Sequence, residues 1–134
     1  MKRLREQCWA ADAFLFAVAE YNFSVSGVLK NAFDWASRQQ QMPQGQKPRD
    51  SGLLGKPCAM IGAAAGPVGT ARAQYHLRMS CMFMDMKPLN KPEVFVGAAA
   101  TKFDEQLNLK DDMAKGLIKQ LLENLDGWTR KLKA

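Results

Sequence analysis

Apolar residues along the chain fall into two alternating patterns. Residues 13–19 and 57–65 are short, almost uninterrupted apolar runs, which are typical of strands covered on both faces. Each run is followed by a polar or small-residue loop and then by apolar positions at helical spacing, in residues 28–38 and 71–86. The pattern therefore predicts two successive units of strand, loop and helix.

The two ends of the chain extend this alternation. Residues 4–9 indicate the last turns of a helix, and residues 92–96 predict a third strand. Asn108 is a candidate N-cap for a final helix. The apolar face of that helix is predicted from Leu117, Leu121, Leu125, Trp128 and Leu132.

Alternating strands and helices predict an α/β fold in which helices cover both faces of a parallel sheet, with right-handed crossovers. Residues 1–134 are interpreted as a single domain, because folding patterns continue on both sides of the only long polar stretch. That stretch, residues 39–56, is rich in Gln, Pro, Gly and charge and predicts an exposed loop.

Composition narrows the class of protein. No apolar run approaches the roughly 20 residues of a membrane-spanning helix, and no signal-peptide core is recognised, so a cytoplasmic protein outside the membrane is expected. The net charge of +6 is spread along the chain. A solvated surface is favoured over nucleic-acid binding, and attraction of anionic nucleotides is a compatible third interpretation.

Several residue types that often carry chemistry favour structural roles here. No metal-binding spacing is present, and the cysteines are too few and too scattered for a disulfide framework, so buried thiols are expected at Cys8, Cys58 and Cys81. His76 lies in a helical pattern without a recognisable catalytic partner, so packing is favoured over catalysis. Core or interface packing is also favoured over ligand binding for Met79, Met82, Met84 and Met86.

Two loops are the candidate ligand-binding segments, because ligands of open α/β sheets bind beyond the carboxyl ends of the strands. They are residues 20–26 and residues 64–70. The second is made almost entirely of small residues, which allows backbone N–H groups to approach a flat or anionic ligand closely. A small-residue loop that only turns tightly remains the alternative.

Residues 19–38, AEYNFSVSGVLKNAFDWASR, carry the most specific signal. This stretch resembles the hallmark of NADPH-dependent FMN reductases and the related quinone and chromate reductases. The resemblance continues, in the same order, in residues 69–78 (GTARAQYHLR), 90–93 (NKPE) and 102–104 (KFD). It covers the chain except for an insertion near residues 39–52.

The resemblance implies a flavodoxin-like fold, FMN as cofactor, NAD(P)H as co-substrate and a quinone-like electron acceptor. The flavin would carry the redox chemistry, so no catalytic side chain is assigned. The implied cofactor-binding positions are Ala19, Glu20, Tyr21, Asn22, Ser24, Ala64, Ala65, Gly66 and Gly69. Ala19 replaces a usual Pro and Ala64 a common Ser or Thr, which is expected to weaken contacts with the ring. The resemblance also implies a homodimer or homotetramer, with Arg72, Tyr75 and Glu93 at the subunit interface.

The resemblance begins at the helix before the family's third strand. The chain is therefore expected to hold about three strands, the third, fourth and fifth of the 2-1-3-4-5 order, without the FMN phosphate loop. FMN binding would then be weakened or lost, and residues 13–19 would form an exposed edge that favours self-association. Two alternatives stay open: a flavin-free interaction module, and nucleotide binding without redox chemistry.

Overall fold

A computed structural model describes residues 2–39, 44 and 50–134. Its helices are α1 (Lys2–Ala10), α2 (Gly27–Ala36), α3 (Ala71–Phe83), α4 (Ala99–Lys102) and α5 (Asp112–Lys133). Its strands are β1 (Phe14–Ala17), β2 (Glu20–Tyr21), β3 (Ser24–Val25), β4 (Pro57–Ala63), β5 (Lys87–Pro88) and β6 (Val94–Val96). The predicted order of strands and helices is confirmed. The sequence pattern did not predict β2, β3, β5 and α4, each of which has two to four residues.

The central sheet is parallel and is built around β4. On one edge of β4, Cys58 lies opposite Phe14 of β1. On the other edge Cys58 lies opposite Pro88 of β5, and Ile61 lies opposite Val94 of β6. The sheet thus has four strands in the described residues, one more than predicted, because β5 is a two-residue strand without an apolar run.

Side chains of β4 alternate between two cores, as expected for a strand covered on both faces. Cys58 and Met60 belong to a buried cluster formed with α1, α2 and α3. Ala59 and Ile61 belong to a second cluster, in which α5 contributes Ala114, Leu121 and Leu125. The prediction of a parallel sheet with helices on both faces is therefore confirmed.

Strand β1 was predicted to have both faces covered, from its apolar run, and to form an exposed edge, from the family resemblance. The first prediction is wrong, because Leu15 is 43% exposed and Ala17 is exposed as well. The described residues pair β1 with β4 alone, so β1 lies at an edge of the sheet. Phe14 and Phe16 face the core and are half-buried. The apolar run correctly predicted the strand, and its edge position agrees with the exposed edge that the family resemblance implied for residues 13–19.

The cap of the last helix was assigned to the wrong residue. Asn108 donates its backbone N–H to Asp104 Oδ1 at 2.7 Å, within a turn that precedes the helix. The N-cap is Asp111, whose Oδ1 accepts the N–H of Ala114 at 2.8 Å. Among the described residues, no helix combines the length and apolar character needed to cross a membrane.

The segment predicted as an exposed loop is only partly described, since residues 40–43 and 45–49 lie outside the described residues. The prediction is wrong for Leu53, which is 2% exposed and packs into the cluster with α1, α2 and α3. The three cysteines are buried and free of disulfides, as expected. The methionines divide: Met84 and Met86 are buried in the core, whereas Met79 and Met82 are exposed.

Candidate functional site

Residues 20–25 fold as a β-hairpin where a polar loop was predicted. Strand β2 pairs antiparallel with β3, and Asn22 and Phe23 form the two-residue turn between them. Both turn residues have positive φ values, 49° and 65°. Left-handed turns of this kind match the twist of a hairpin. The hairpin follows the carboxyl end of β1, and Asn22 and Phe23 are exposed at its tip.

The small-residue loop, residues 64–70, is fixed to the segment after β6. Ala64 donates its N–H to Val96 O at 2.9 Å, and Gly66 O accepts the N–H of Ala98 at 3.0 Å. Gly97 lies so close to the loop that an added Cβ would stand 2.1 Å from Pro67 O. A loop that follows β4 is thereby held rigidly at the carboxyl edge of the sheet.

The hairpin turn and the small-residue loop face each other across a concave site of about 470 Å³. Its lining consists of Glu20, Asn22, Phe23, Ala64, Gly66, Pro67, Val68, Gly69 and Arg72. Each segment follows a neighbouring parallel strand at its carboxyl end, which is where open α/β sheets bind ligands. The two loops singled out from the sequence therefore form one site.

The charged groups of this lining pair with each other. Glu20 Oε1 accepts a hydrogen bond from Arg72 Nη1 at 3.4 Å, and Glu20 Oε2 accepts the N–H of Ala73 at 3.1 Å. The Arg72 guanidinium also lies 4.1 Å from the centre of the Phe23 ring. The charges of the lining thus compensate each other, and the lining includes one aromatic ring.

Five of the expected cofactor-binding residues line the site, namely Glu20, Asn22, Ala64, Gly66 and Gly69. Ala19, Tyr21, Ser24 and Ala65 are not part of this lining, and the Tyr21 residue is 65% exposed. Phe23, Pro67 and Val68 were not assigned from the sequence, although each lies between assigned neighbours. No sequence signal marks Phe23, because two-residue hairpin turns with positive φ favour glycine at this position.

Ser24 and His76 meet outside this site. Ser24 Oγ lies 3.0 Å from His76 Nδ1, which joins β3 to α3. Both residues line a neighbouring cleft between α2 and α3. The structure thus gives His76 a serine partner that the sequence did not reveal, and His76 is exposed rather than packed in the core.

The residues expected at a subunit interface divide into two groups within the chain. The Tyr75 hydroxyl donates to Glu93 Oε1 at 2.8 Å, and Lys91 Nζ donates to Glu93 Oε2 at 2.7 Å. The Lys91 ammonium and the Tyr75 hydroxyl lower the pKa of Glu93. Arg72 instead contacts Glu20 and Phe23 at the candidate site.

The residues of the site fit a flat heteroaromatic group. Among the described residues, no backbone acceptor takes the N–H groups of Ala65 and Gly66, and both residues are exposed. An added Cβ at Gly66 would meet no atom within 4 Å, so the loop surface is open on this side. A parallel α/β sheet with ligand loops at its carboxyl edge is typical of doubly wound α/β proteins, a class that includes the flavodoxin-like fold.

Comparison with known proteins agrees with this class. The family model for NADPH-dependent FMN reductases matches residues 1–101. An NAD(P)H-dependent FMN reductase of Pseudomonas aeruginosa is 53% identical over 99% of this chain and 67% of its own length. An NADPH:quinone oxidoreductase of Arabidopsis thaliana is 40% identical over 98% of this chain and 63% of its own length.

A solved structure agrees at the level of the fold. FerB, a flavoenzyme NAD(P)H:(acceptor) oxidoreductase from Paracoccus denitrificans, superposes with a TM-score of 0.72 at 29% identity. The match covers 98% of this chain and 66% of FerB. The chain belongs to the NADPH-dependent FMN reductase family, as the residues 19–38 indicated. It spans about two thirds of the length of these relatives.

Proposed function

We propose that the chain binds the FMN ring between the hairpin turn and the small-residue loop, as part of an NAD(P)H-dependent oxidoreductase with a quinone-like acceptor. The observation that carries the proposal is the convergence of these two segments at the carboxyl edge of the sheet. The match to the FMN reductase family and the names of the quinone-reducing relatives support it.

The protein residues would act by binding and orientation. The backbone N–H group of Gly66 is available for polar atoms at the edge of the ring, and Phe23 offers an aromatic neighbour. Bound FMN would supply the redox chemistry, taking hydride from NAD(P)H and passing electrons to the acceptor. The side chains at the site accordingly need no nucleophile or general base.

Titration with FMN, followed by flavin fluorescence, tests the proposal. We expect quenching on binding, and oxidation of NADPH with menadione as acceptor. Riboflavin is expected to bind with similar affinity, because the charged side chains described in this lining, Glu20 and Arg72, already pair with each other. Absence of quenching at high micromolar FMN would refute flavin binding by this chain and favour the flavin-free interaction module.

A blocking variant locates the binding site. Gly66→Leu is expected to abolish quenching without unfolding the protein, because its Cβ enters open space while the residue lines the site. Gly27→Leu is the matched control, since Gly27 also has open space but lies on α2, away from the site. Equal FMN affinity in the two variants would place the flavin elsewhere.

We further propose that the outward face of α3 joins a second copy of the chain. Four apolar residues recur on this face at helical spacing and are 50% to 82% exposed: Tyr75, Met79, Met82 and Phe83. A monomer seldom leaves such a contiguous patch uncovered, and a twofold axis would let the patch cover itself. The hydrogen bond between Tyr75 and Glu93 lies at the border of this patch.

Sedimentation measures this self-association directly. Met79→Glu is expected to shift the protein from oligomer to monomer, because it places a charge in the centre of the patch. Met113→Glu is the control, since Met113 is 77% exposed on α5. If the unmodified protein sediments as a monomer, the interface proposal fails.

A further inference from the structure

One of the two turn residues of the hairpin has a backbone conformation that is unfavourable for its residue type. Asn22 tolerates a positive φ well, whereas Phe23, at 65°, is a bulky residue in a region that such residues seldom adopt. Strained positions of this kind persist when the surroundings impose them. The contacts of the hairpin with α3 are therefore important for the shape of the site.

Glu20 supplies one such contact. Its side chain is only 10% exposed, and its Oε2 accepts the N–H of Ala73 at 3.1 Å, in the first turn of α3. Thr70, the N-cap residue of α3, makes no capping hydrogen bond with its side chain. A carboxylate is favourable at the amino end of a helix, where backbone N–H groups lack partners. Glu20, on the hairpin, thus accepts a hydrogen bond from a first-turn N–H group of α3, as the side chain of an N-cap residue normally does.

Arg72 connects the same carboxylate to the turn. Its Nη1 donates to Glu20 Oε1, and its guanidinium lies over the Phe23 ring at 4.1 Å. A guanidinium over an aromatic face is attractive. Glu20, Arg72 and Phe23 consequently form one chain of contacts that runs from the helix to the strained turn.

We propose that Glu20 is a positioning residue, which clamps the hairpin turn onto the amino end of α3 and thereby sets one wall of the flavin site. Glu20 was expected from the family resemblance to bind the cofactor; in this proposal it acts on the site through Ala73 and Arg72. The inference rests on the proposed flavin binding for its functional consequence. The clamp itself is a property of the protein without cofactor.

Three variants test the clamp. Glu20→Leu removes both acceptor atoms, and Glu20→Gln retains one oxygen that can accept the Ala73 N–H. Glu123→Gln is the control, because that side chain is 64% exposed on α5. The contact between Ser24 and His76 is kept in all three, so the hairpin retains a second attachment to α3.

The first measurement is amide hydrogen exchange and amide chemical shift without cofactor. In Glu20→Leu we expect Ala73 to exchange about tenfold faster, and the Asn22 and Phe23 signals to move. Glu20→Gln should lie between Glu20→Leu and the unmodified protein, and Glu123→Gln should change neither quantity. Unchanged exchange and unchanged shifts in Glu20→Leu would overturn the clamp.

The second measurement is the FMN dissociation constant. We expect it to rise about tenfold in Glu20→Leu, with partial recovery in Glu20→Gln. Faster exchange with unchanged FMN affinity would show that Glu20 is a helix cap alone and would overturn the positioning role. If the unmodified protein binds no FMN, the proposed function fails. The clamp is then tested without cofactor: moved amide signals of Asn22 and Phe23 in Glu20→Leu support it, and unmoved signals overturn it.

Discussion

Gly97→Ala is expected to destabilise the protein by about 1–3 kcal/mol, the usual range for an overpacked position, and to weaken FMN binding about tenfold or more. The new Cβ would stand 2.1 Å from Pro67 O and 3.0 Å from Gly66 O. Both atoms belong to backbone, which cannot rotate away as a side chain does. The small-residue loop must therefore move, and it forms one wall of the candidate site.

The expected change has two measurable parts. Urea unfolding gives the loss of stability, and fluorescence titration gives the loss of FMN affinity. Gly116→Ala is the matched control, because its Cβ enters open space on α5. Replacing a helical glycine by alanine usually stabilises by about 0.5–1 kcal/mol. A Gly97→Ala protein with unchanged stability and unchanged affinity would show that the loop is not held as described.

Gly69 illustrates why the loop depends on glycine at more than one position. Its φ is +58°, and an added Cβ would lie 2.8 Å from the carbonyl carbon of Phe95. The small-residue composition was visible in the sequence, and it predicted close approach of the backbone to a ligand. The structure adds that glycine is required at positions 69 and 97 because the loop packs against the end of β6 and the residue that follows it.

The fold was largely predictable, because its main elements depend on local periodicity. The apolar runs of β4 and β6 and the apolar face of α5 appear in the sequence as regular patterns. The short strand β5 has two residues, Lys87 and Pro88, and pairs in parallel with β4. No side-chain pattern marks such a strand, so its prediction would require the tertiary structure.

The site was predictable as two loops but not as a set of contacts. The position of Asn22 at the site followed from the family resemblance, whereas the bond between Glu20 and Ala73 joins residues 53 positions apart. Long-range hydrogen bonds leave no periodic trace. The same reason explains the error at the last helix: Asn108 and Asp111 are both common N-cap residues, and only geometry selects Asp111.

A second long-range contact joins Lys56 to the carboxyl end of α1, and its removal is expected to have a large effect on stability. The last turn of α1 contains no basic residue, yet its carbonyl groups face a cation from a distant segment. Lys56 Nζ donates to Cys8 O at 2.8 Å, to Trp9 O at 2.9 Å and to Ala11 O at 2.6 Å. An ammonium group has three donors, and here all three are used.

Lys56→Met is expected to destabilise the protein by about 2 kcal/mol, because hydrogen bonds to charged groups contribute roughly 1.5–3 kcal/mol each in general and this group is partly solvent-exposed. The carboxyl end of a helix also favours a nearby cation. Methionine preserves the length of the apolar stem, so the loss reports on the ammonium. Without it, the end of α1 should fray and loosen Cys8 from the core cluster.

Urea unfolding and hydrogen exchange of α1 test the role of Lys56. Lys119→Met is the matched control: its side chain is 77% exposed on α5, and a change within about 0.5 kcal/mol is expected for such a surface position. Lys56→Arg should recover only part of the stability, because a planar guanidinium cannot direct donors at three carbonyl groups around one point. Equal stability of Lys56→Met and Lys119→Met would mean that the three carbonyl groups are satisfied by water. In that case α1 would be held by its apolar face, through Leu4 and Cys8, and by the hydrogen bonds from Arg5 to Trp35 O and from Trp9 to Asp50 O.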